Sequence, residues 1–222
     1  MRQSNKIPPS TPLTVGIVDS RRALALVSRL KSSSVDLLEW RADAFAGTRS
    51  PATLRFPWIL TVRHPAEGGL GSLSSLQRRR LFLESLDQAR FVDIELRSLG
   101  PMRDVMSSAR DRHVRIIASY HNFKRTPPAR ELRDTISRAS DQGADIIKIA
   151  TRTEAPADIG RLLDLFAASS TPLSLMGMGP LGMTSRLLFA SCGSVLNYGW
   201  LDRPNVEGQW SAVELKTMIT RT

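Results

Sequence analysis

The sequence predicts an α/β protein folded as a single-domain (β/α)8 TIM barrel. Short β-type runs alternate with helical stretches eight times along the chain. The length of 222 residues suits one compact barrel, and neither a repeat nor an interdomain linker interrupts the alternation. We expect the barrel to occupy residues 13–222 and residues 1–12 to form a flexible N-terminal tail.

The predicted strands are short apolar runs bounded by turn residues. They cover residues 14–18, 36–43, 58–63, 91–96, 115–121, 145–151, 172–179 and 194–200. Apolar residues at spacings of three and four predict helices at residues 21–30, 74–89, 102–109, 128–142, 156–168, 184–191 and 207–219. The stretch 44–57 has room only for a short helix or a bare loop.

The composition argues against several classes of protein. Hydrophobic residues make up 41% of the chain and charged residues 23%, as in an ordinary globular protein. Cys192 is the only cysteine and there are three histidines, so we expect no disulfide, no metal site and a reducing compartment, the cytoplasm. Because no apolar run has the length of a signal peptide core or a membrane span, we expect no membrane partner.

The net charge of +10 raises the question of an anionic partner. Basic residues are scattered along the polar faces of the predicted helices, with few aromatic residues between them to stack on bases. We therefore expect no nucleic-acid partner. A small anionic substrate would use the same field, because the field would steer it toward the protein.

Lys148 lies in the middle of the apolar run 145–151, which is typical of a buried strand. Burial disfavours the charged ammonium, and neighbouring arginines would disfavour it further, so a neutral and nucleophilic amine becomes accessible near neutral pH. Schiff-base enzymes prepare a lysine in this way. The alternative is a lysine that extends its amine along an apolar surface to water.

Polar residues recur at every second position of several predicted strands. In a parallel barrel alternate residues point inward, and those near the C-terminal strand ends line the active site. The inward set is Glu39, Arg41, Asp43, Thr61, Arg63, Asp93, Glu95, Ser119, His121 and Lys148. Buried charges are costly when unpaired, so this set forms either a compensated network around a ligand or a salt-bridge lattice that only stiffens the barrel mouth.

His121 ends a predicted strand, at the position where barrel catalysts usually lie, and precedes Lys148 by 27 residues. Because this spacing corresponds to one strand–helix unit, both side chains should project into the same pocket. An acid–base group and a nucleophile would then be within reach of each other. His64 and His113 lack such a position and are given no role.

Taken together, these residues resemble those of the type I 3-dehydroquinate dehydratases, the Schiff-base enzymes of the shikimate pathway, over nearly the whole chain. The motifs that carry the resemblance are Glu39-Trp40-Arg41-Ala42-Asp43, Thr61-Val62-Arg63, Glu67-Gly68-Gly69, Asp93-Ile94-Glu95-Leu96, Ser119-Tyr120-His121-Asn122-Phe123, Lys148, Met178-Gly179, Ser185-Arg186 and Gly208-Gln209. The resemblance implies dehydration of 3-dehydroquinate to 3-dehydroshikimate for aromatic amino acid biosynthesis, without a cofactor, by a homodimer.

The resemblance also implies roles for individual residues. Lys148 would form the Schiff base, His121 would transfer protons, and Glu67 would orient the imidazole. Arg186 would bind the substrate carboxylate with its two-pronged guanidinium. The remaining substrate-binding residues would be Glu39, Trp40, Arg41, Arg63, Met178, Asn205 and Gln209. The alternation along the strand, however, turns Trp40 outward.

Three departures from the family pattern concern the substrate pocket. Asn205 and Glu207 stand where the family usually has Ser and Pro before the Gly-Gln pair, and an inward Glu207 would repel a carboxylate. Gly16 stands near a place where members often present a polar side chain, so one ring contact is expected to be missing. The stretch between the second and third strands is also shorter than is common.

Two other classes of function stay open. A different Schiff-base barrel, such as a class I aldolase or a transaldolase-like enzyme, would share Lys148 and would use the glycine-rich segment 176–182 to bind a phosphate. A basic binding module would use the barrel only as a scaffold. It would show salt-dependent retention on nucleic acid and no catalysis.

Overall fold

Eight parallel strands alternate with helices around a barrel in a computed structural model of the chain, which describes residues 12–45 and 55–221. The strands are β1 Leu13–Val18, β2 Leu37–Arg41, β3 Trp58–Thr61, β4 Phe91–Glu95, β5 Arg115–Asn122, β6 Ile146–Arg152, β7 Leu173–Met178 and β8 Leu196–Trp200. They pair in the order β7-β6-β5-β4-β3-β2-β1-β8, and each of these pairs is parallel. The predicted fold class is confirmed.

Helices cover the outside of the barrel. The α-helices in the described parts of the chain are α1 Arg21–Val27, α2 Ser75–Ser85, α3 Arg103–Asp111, α4 Ala129–Asp141, α5 Pro156–Ala168, α6 Gly182–Ser191 and α7 Ala212–Arg221. Short 3-10 helices lie at Ala42–Phe45, Pro65–Glu67, Leu86–Gln88 and Leu96–Ser98. Among the helices in residues 12–45 and 55–221, none combines the length and the apolar character that a membrane span requires.

The last predicted helix starts too early in the sequence. α7 begins only at Ala212, because Gly208 adopts a left-handed φ of 75° and the chain turns there as a loop. β2 also ends at Arg41, two residues before the end of the predicted strand, because a 3-10 helix starts at the next residue. The predicted tail and most of the predicted connection at 44–57 fall on residues 1–11 and 46–54, which lie outside the described residues.

The barrel closes between β7 and β8 with the help of a serine hydroxyl. The Val195 amide donates to the Leu173 carbonyl at 2.9 Å. The Ser194 hydroxyl accepts from the Leu175 amide at 3.0 Å. These hydrogen bonds satisfy backbone groups between the seventh and eighth strands, which stand at the two ends of the paired strand order, and so hold the nearly closed barrel together there.

Two apolar layers follow from the alternation of side chains along the strands. The larger layer lies between strands and helices and includes Trp40, whose ring stacks on Phe45 with centroids 4.2 Å apart. The smaller layer fills the inside of the barrel and includes the fully buried Phe91, Ile117 and Leu196. Each large apolar side chain buried in this way contributes about 1.5–3 kcal/mol to stability.

Gly199 in β8 lies against α7 and leaves no room for a side chain. A Cβ there would stand 2.5 Å from the backbone of Ala212, so one of the two elements would have to move. We therefore expect Gly199→Ala to lower the free energy of unfolding by about 1–3 kcal/mol, the usual effect of overpacking.

Gly160→Ala is the matched control, because Gly160 is exposed within α5 and a Cβ there would meet nothing within 4 Å. It should raise the free energy of unfolding by roughly 0.5–1 kcal/mol, since alanine favours a helix. Denaturant titration of both variants measures the difference. Equal effects of the two substitutions would contradict this account of the contact between β8 and α7.

Candidate active site

A cavity of about 160 Å³ opens at the C-terminal ends of the strands, where barrel enzymes bind their ligands. Its walls combine charged and apolar residues. They include Ile17, Glu39, Arg41, Arg63, Glu67, Leu70, His121, Phe123, Lys148, Met176, Met178, Arg186, Tyr198, Asn205, Val206 and Gln209. Every residue predicted for the site lines this cavity, with the exception of Trp40.

Lys148 lies in the interior of β6 and is 3% exposed, so its side chain is buried inside the barrel and does not extend along the outer surface. The Nζ atom donates to Asp93 Oδ2 at 3.0 Å and to Glu39 Oε1 at 3.5 Å. The alternative of an amine extended to solvent is therefore wrong. The groups bonded to the amine are carboxylates, and the expected neighbouring arginine is Arg63, which pairs with the same two acids.

Arg63 joins the acids of neighbouring strands into one network. Its guanidinium donates to the two oxygens of Asp93 at 3.0 and 2.9 Å and to Glu95 at 3.3 Å. It also lies 3.6 Å from Glu39. Burial alone would raise the pKa of Asp93, but Arg63 and Lys148 lower that pKa below its ordinary value, so the carboxylate stays charged.

His121 lies near the end of β5, the strand next to β6, and pairs in register with Ala150. Its Nδ1 lies 3.0 Å from Glu67 Oε2, which also accepts from the His121 amide at 3.1 Å. Burial, with the charges of Arg63 and Lys148, holds the pKa of His121 well below its ordinary value, so the ring is neutral. When Nδ1 donates to Glu67, Nε2 carries no proton and is free to accept one.

The pKa of the Glu67 carboxyl group places its change of charge near neutral pH. Burial raises its pKa to about 7, the nearby Glu95 adds to this rise, and Arg63 opposes it. The other carboxylate oxygen lies 3.5 Å from Nε of the half-exposed Arg97. The ionised form of Glu67 accepts the Nδ1 proton of His121, whereas the protonated form reverses that hydrogen bond.

The turn that carries Glu67 is held by Arg41 and Asp43. Arg41 donates to the two oxygens of Asp43 at 3.0 and 2.8 Å and to the Gly68 carbonyl at 2.9 Å. Asp43 also accepts from the Leu70 amide at 2.8 Å. The sequence predicted an inward Asp43 but gave it no role in the site. The structure shows that it fixes the loop behind the histidine.

Arg186 has no acidic partner among the described residues. It lies on α6, is 3% exposed, and donates from Nη1 to the Tyr198 carbonyl at 2.8 Å. Its Nε atom is buried and has no hydrogen-bond partner in that part of the chain. Burial lowers the pKa of Arg186 to about 10. Such a guanidinium is suited to bind an anion, and a lattice of mutually satisfied salt bridges does not account for it.

The loop between β8 and α7 covers one side of the cavity. The Asn205 amide donates to Gln209 Oε1 at 2.9 Å, and the Asn205 side chain donates to Asp19 beyond the end of β1. Glu207 is exposed and accepts from Arg152 Nη1 at 3.2 Å. Because Glu207 points toward Arg152, the repulsion considered for an inward Glu207 does not arise.

Two sequence-based expectations about the pocket are wrong. Trp40 is 1% exposed and packs in the layer between strands and helices, so it is not a substrate-binding residue. The alternation along β2 turns its two neighbours inward and Trp40 outward. Gly16 also faces outward, since a Cβ there would stand 3.0 Å from the side chain of Leu201. The β1 residue that lines the cavity is Ile17.

The glycine-rich segment 176–182 is not arranged as a phosphate site. The Gly179 amide donates to the Glu207 carbonyl at 2.9 Å, and the Gly182 amide donates to the Gly179 carbonyl at 2.9 Å. A Cβ on Gly177 would overlap the Ser185 hydroxyl, so close packing explains that glycine. The aldolase alternative thus loses the phosphate site on which it depended. Nowhere in residues 12–45 and 55–221 do His, Cys, Asp and Glu side chains form a group that could hold a metal.

Tyr198 is a cavity residue that the sequence analysis missed. It lies on β8, and the centroid of its ring is 3.7 Å from Lys148 Nζ. The available signal was the two-residue alternation along the predicted strand 194–200. An aromatic residue within a strand more often belongs to a core than to a site, so the alternation alone does not mark Tyr198 as a site residue.

Two buried arginines, Arg186 and Arg63, differ in whether acids pair with them, and this difference should appear in protein stability. Arg186 carries a charge with no acidic partner in residues 12–45 and 55–221, so we expect Arg186→Met to raise the free energy of unfolding by roughly 1 kcal/mol or more. Arg63→Met is the matched variant, because it removes a guanidinium that pairs with three acids. It should cost roughly 3–5 kcal/mol. Thermal unfolding of both variants measures this, and a comparable loss in the two would show that Arg186 is not an uncompensated charge.

Comparison with known proteins places the chain in a family. The sequence model of the family described as Type I 3-dehydroquinase matches residues 12–221. A 3-dehydroquinate dehydratase of Pyrococcus abyssi is 35% identical over 212 residues, which are 93% of this chain and 95% of that relative. A 3-dehydroquinate dehydratase of Latilactobacillus sakei is 30% identical over 218 residues, covering 91% and 89% of the two chains.

Solved structures agree with this placement. The 3-dehydroquinate dehydratase of Geobacillus kaustophilus has a TM-score of 0.82 at 26% identity, covering 96% of this chain and 91% of that one. The enzyme of Aquifex aeolicus has a TM-score of 0.80 at 27% identity, covering 94% and 98%. The chain belongs to the type I 3-dehydroquinase family.

Proposed function

We propose that this chain is a hydro-lyase that converts 3-dehydroquinate to 3-dehydroshikimate, with Lys148 as the Schiff-base nucleophile. The observation that carries the proposal is the buried Lys148 amine in a cavity that also holds a neutral histidine and a guanidinium with no acidic partner among the described residues. Relatives named 3-dehydroquinate dehydratase support the substrate. The reaction belongs to the shikimate pathway of aromatic amino acid biosynthesis.

The first chemical step is attack of Lys148 Nζ on the ketone carbon. A C–N bond forms, the ketone oxygen leaves as water, and a protonated imine remains. His121 passes the proton that the amine nitrogen gives up to the oxygen, and a second proton, taken up from solvent through the same imidazole, lets the oxygen leave as water. Asp93 and Glu39 are the acids nearest to Nζ, so they balance the positive charge of the imine.

Elimination follows from the acidity of the carbon next to the imine. His121 Nε2 removes a proton there, and the electron pair of the C–H bond forms an enamine. The enamine expels the hydroxyl group from the next carbon, and His121 supplies the proton with which it leaves as water. Hydrolysis of the conjugated imine then releases the product and frees Lys148. The imine serves as the electron sink, so the proposed reaction needs no metal or cofactor.

The other cavity residues bind and orient the substrate. Arg186 binds the carboxylate, because its guanidinium has donors that the described residues do not use. The ring and its hydroxyl groups are held by Glu39, Arg41, Asn205, Gln209 and Met178, which line the cavity. The donors of Arg63 point at Asp93, Glu95 and Ser119, so Arg63 acts mainly by holding the acids in place.

Several expectations about partners and location stay predictions. The resemblance to the family predicts a homodimer, and the single cysteine predicts a cytoplasmic enzyme. A small anionic substrate makes use of the net charge of +10 by steering, without a nucleic-acid partner.

Loss of the nucleophile is the direct test of the mechanism. We expect borohydride with 3-dehydroquinate to add one reduced adduct to the wild-type chain, on the peptide that contains Lys148. Lys148→Ala should form no adduct and should lower kcat by roughly ten-thousandfold or more. Lys31→Ala, which changes an exposed lysine, is the control and should keep both properties. Intact mass and peptide mapping measure the adduct and its position, and ultraviolet detection of the product measures kcat. An adduct on another lysine would refute the assignment.

The raised pKa of Glu67 predicts how the rate depends on pH. Above about 7 the ionised carboxylate accepts from His121 Nδ1 and leaves Nε2 free as a base, so kcat should fall as the pH drops through about 7. Glu67→Gln should remove this inflection and lower kcat by about 10–100-fold. The control is Glu131→Gln on the outer helix α4, which should keep the wild-type profile. An unchanged inflection in Glu67→Gln would assign it to another group.

A further inference from the structure

Tyr198 contacts the reacting nitrogen through its aromatic face. Lys148 Nζ lies 3.7 Å from the centroid of the Tyr198 ring. The tyrosine is 2% exposed and the lysine 3% exposed, so the contact is shielded from water. A cation over an aromatic face is attracted by the negative potential of the ring, and the attraction is stronger where water is excluded.

Formation of the imine changes what the nearby carboxylates can do. An ammonium group has three N–H donors and bonds both Asp93 and Glu39. A protonated imine has a single N–H, so only one of these carboxylates can keep a hydrogen bond to the nitrogen. The aromatic face needs no N–H, because it is attracted to the charge itself. The contact with Tyr198 therefore persists through the steps in which the carboxylates lose a hydrogen bond.

The rest of Tyr198 is consistent with a role toward the ligand. Its carbonyl accepts from Arg186 Nη1 at 2.8 Å, so the same residue touches the amine and positions the anion-binding guanidinium. Its hydroxyl is buried and finds no hydrogen-bond partner in residues 12–45 and 55–221. Burial raises the pKa of Tyr198 well above its ordinary value, and Glu39 and Asp93 add to the rise, so the ring stays a neutral phenol.

We propose that Tyr198 is a further catalytic residue, whose π-face stabilises the positive nitrogen of the Lys148 imine. This inference rests on the proposed Schiff-base function and extends it. The positive charge of the imine nitrogen is then stabilised by the aromatic ring as well as by the carboxylates of Asp93 and Glu39.

The test compares variants that keep or remove the ring. Tyr198→Phe keeps the aromatic face, and Tyr198→Leu removes it. Borohydride trapping at graded concentrations of 3-dehydroquinate gives the concentration for half-maximal adduct. We expect this concentration to rise about tenfold in Tyr198→Leu, as for loss of a desolvated cation–π contact, and to stay within about threefold in Tyr198→Phe. Tyr120→Leu is the control, because Tyr120 lies on β5 and packs in the outer layer.

A second ligand separates charge stabilisation from packing. A cyclohexane carboxylate with the same hydroxyl groups and no ketone binds to the cavity without forming an imine. Because this ligand forms no positively charged imine, its Kd should differ by less than about threefold between the wild-type chain and Tyr198→Leu. That difference is well below the roughly tenfold effect expected for the adduct. Equal weakening of this ligand and of the adduct would show that the ring acts only by packing. An equal loss in Tyr198→Phe would assign the effect to the hydroxyl instead.

Fluorinated phenylalanines at position 198 keep the proposal testable if Tyr198→Leu does not fold. Each added fluorine weakens the negative potential of the ring with little change in its shape. The half-saturating concentration should rise step by step with the number of fluorines, and a flat series would overturn the inference. Absence of any adduct in the wild-type chain is a different result, because it would contradict the proposed function itself.

Discussion

Inside the barrel, the guanidinium of Arg63 lies between the carboxylates of Glu39, Asp93 and Glu95, within 3.6 Å of each. Arg78 shares Glu95 on one side, and Lys148 shares Asp93 and Glu39 on the other. In this network three basic side chains meet three acidic ones in the buried interior. Burying any one of them alone would cost several kcal/mol, so the position of each depends on the others. Arg63 touches all three acids, and for this reason the placement of the Lys148 amine depends on it.

The remaining groups of the cavity are less well compensated, and this difference explains the division of work in the site. Arg186 has no acidic partner in the described parts of the chain. The pKa of Glu67 is raised to about 7, mainly by burial, so its carboxyl group gains or loses a proton near neutral pH. His121 is neutral because burial and two cations disfavour its charged form. The half of the site whose charges are paired holds the nucleophile, whereas the other half can accept an anion or a proton. Uncompensated groups reduce stability and make the site reactive.

Much of this arrangement follows from a short-range rule that is visible in the sequence. Side chains alternate along a strand, so the inward positions of Glu39, Arg63, His121 and Lys148 could be predicted once the strands were located. Trp40 shares a motif with Glu39 and Arg41 but lies on the opposite face of the strand, so membership in the motif does not make it a substrate-binding residue. The alternation along strands does not predict contacts between segments that are distant in the sequence. The outward turn of Glu207 toward Arg152 and the loop that delays α7 depend on tertiary packing, which sequence spacing does not encode.

The central claim is that the buried Lys148 amine forms the covalent intermediate while Arg186 holds the substrate carboxylate. A high-resolution crystal structure of the borohydride-reduced complex with 3-dehydroquinate tests it most directly. The account predicts continuous density from Lys148 Nζ to the former ketone carbon, a two-pronged contact between the carboxylate and Arg186, and an unchanged pair of Arg63 and Asp93. Density on another residue, or a carboxylate bound away from Arg186, would contradict it.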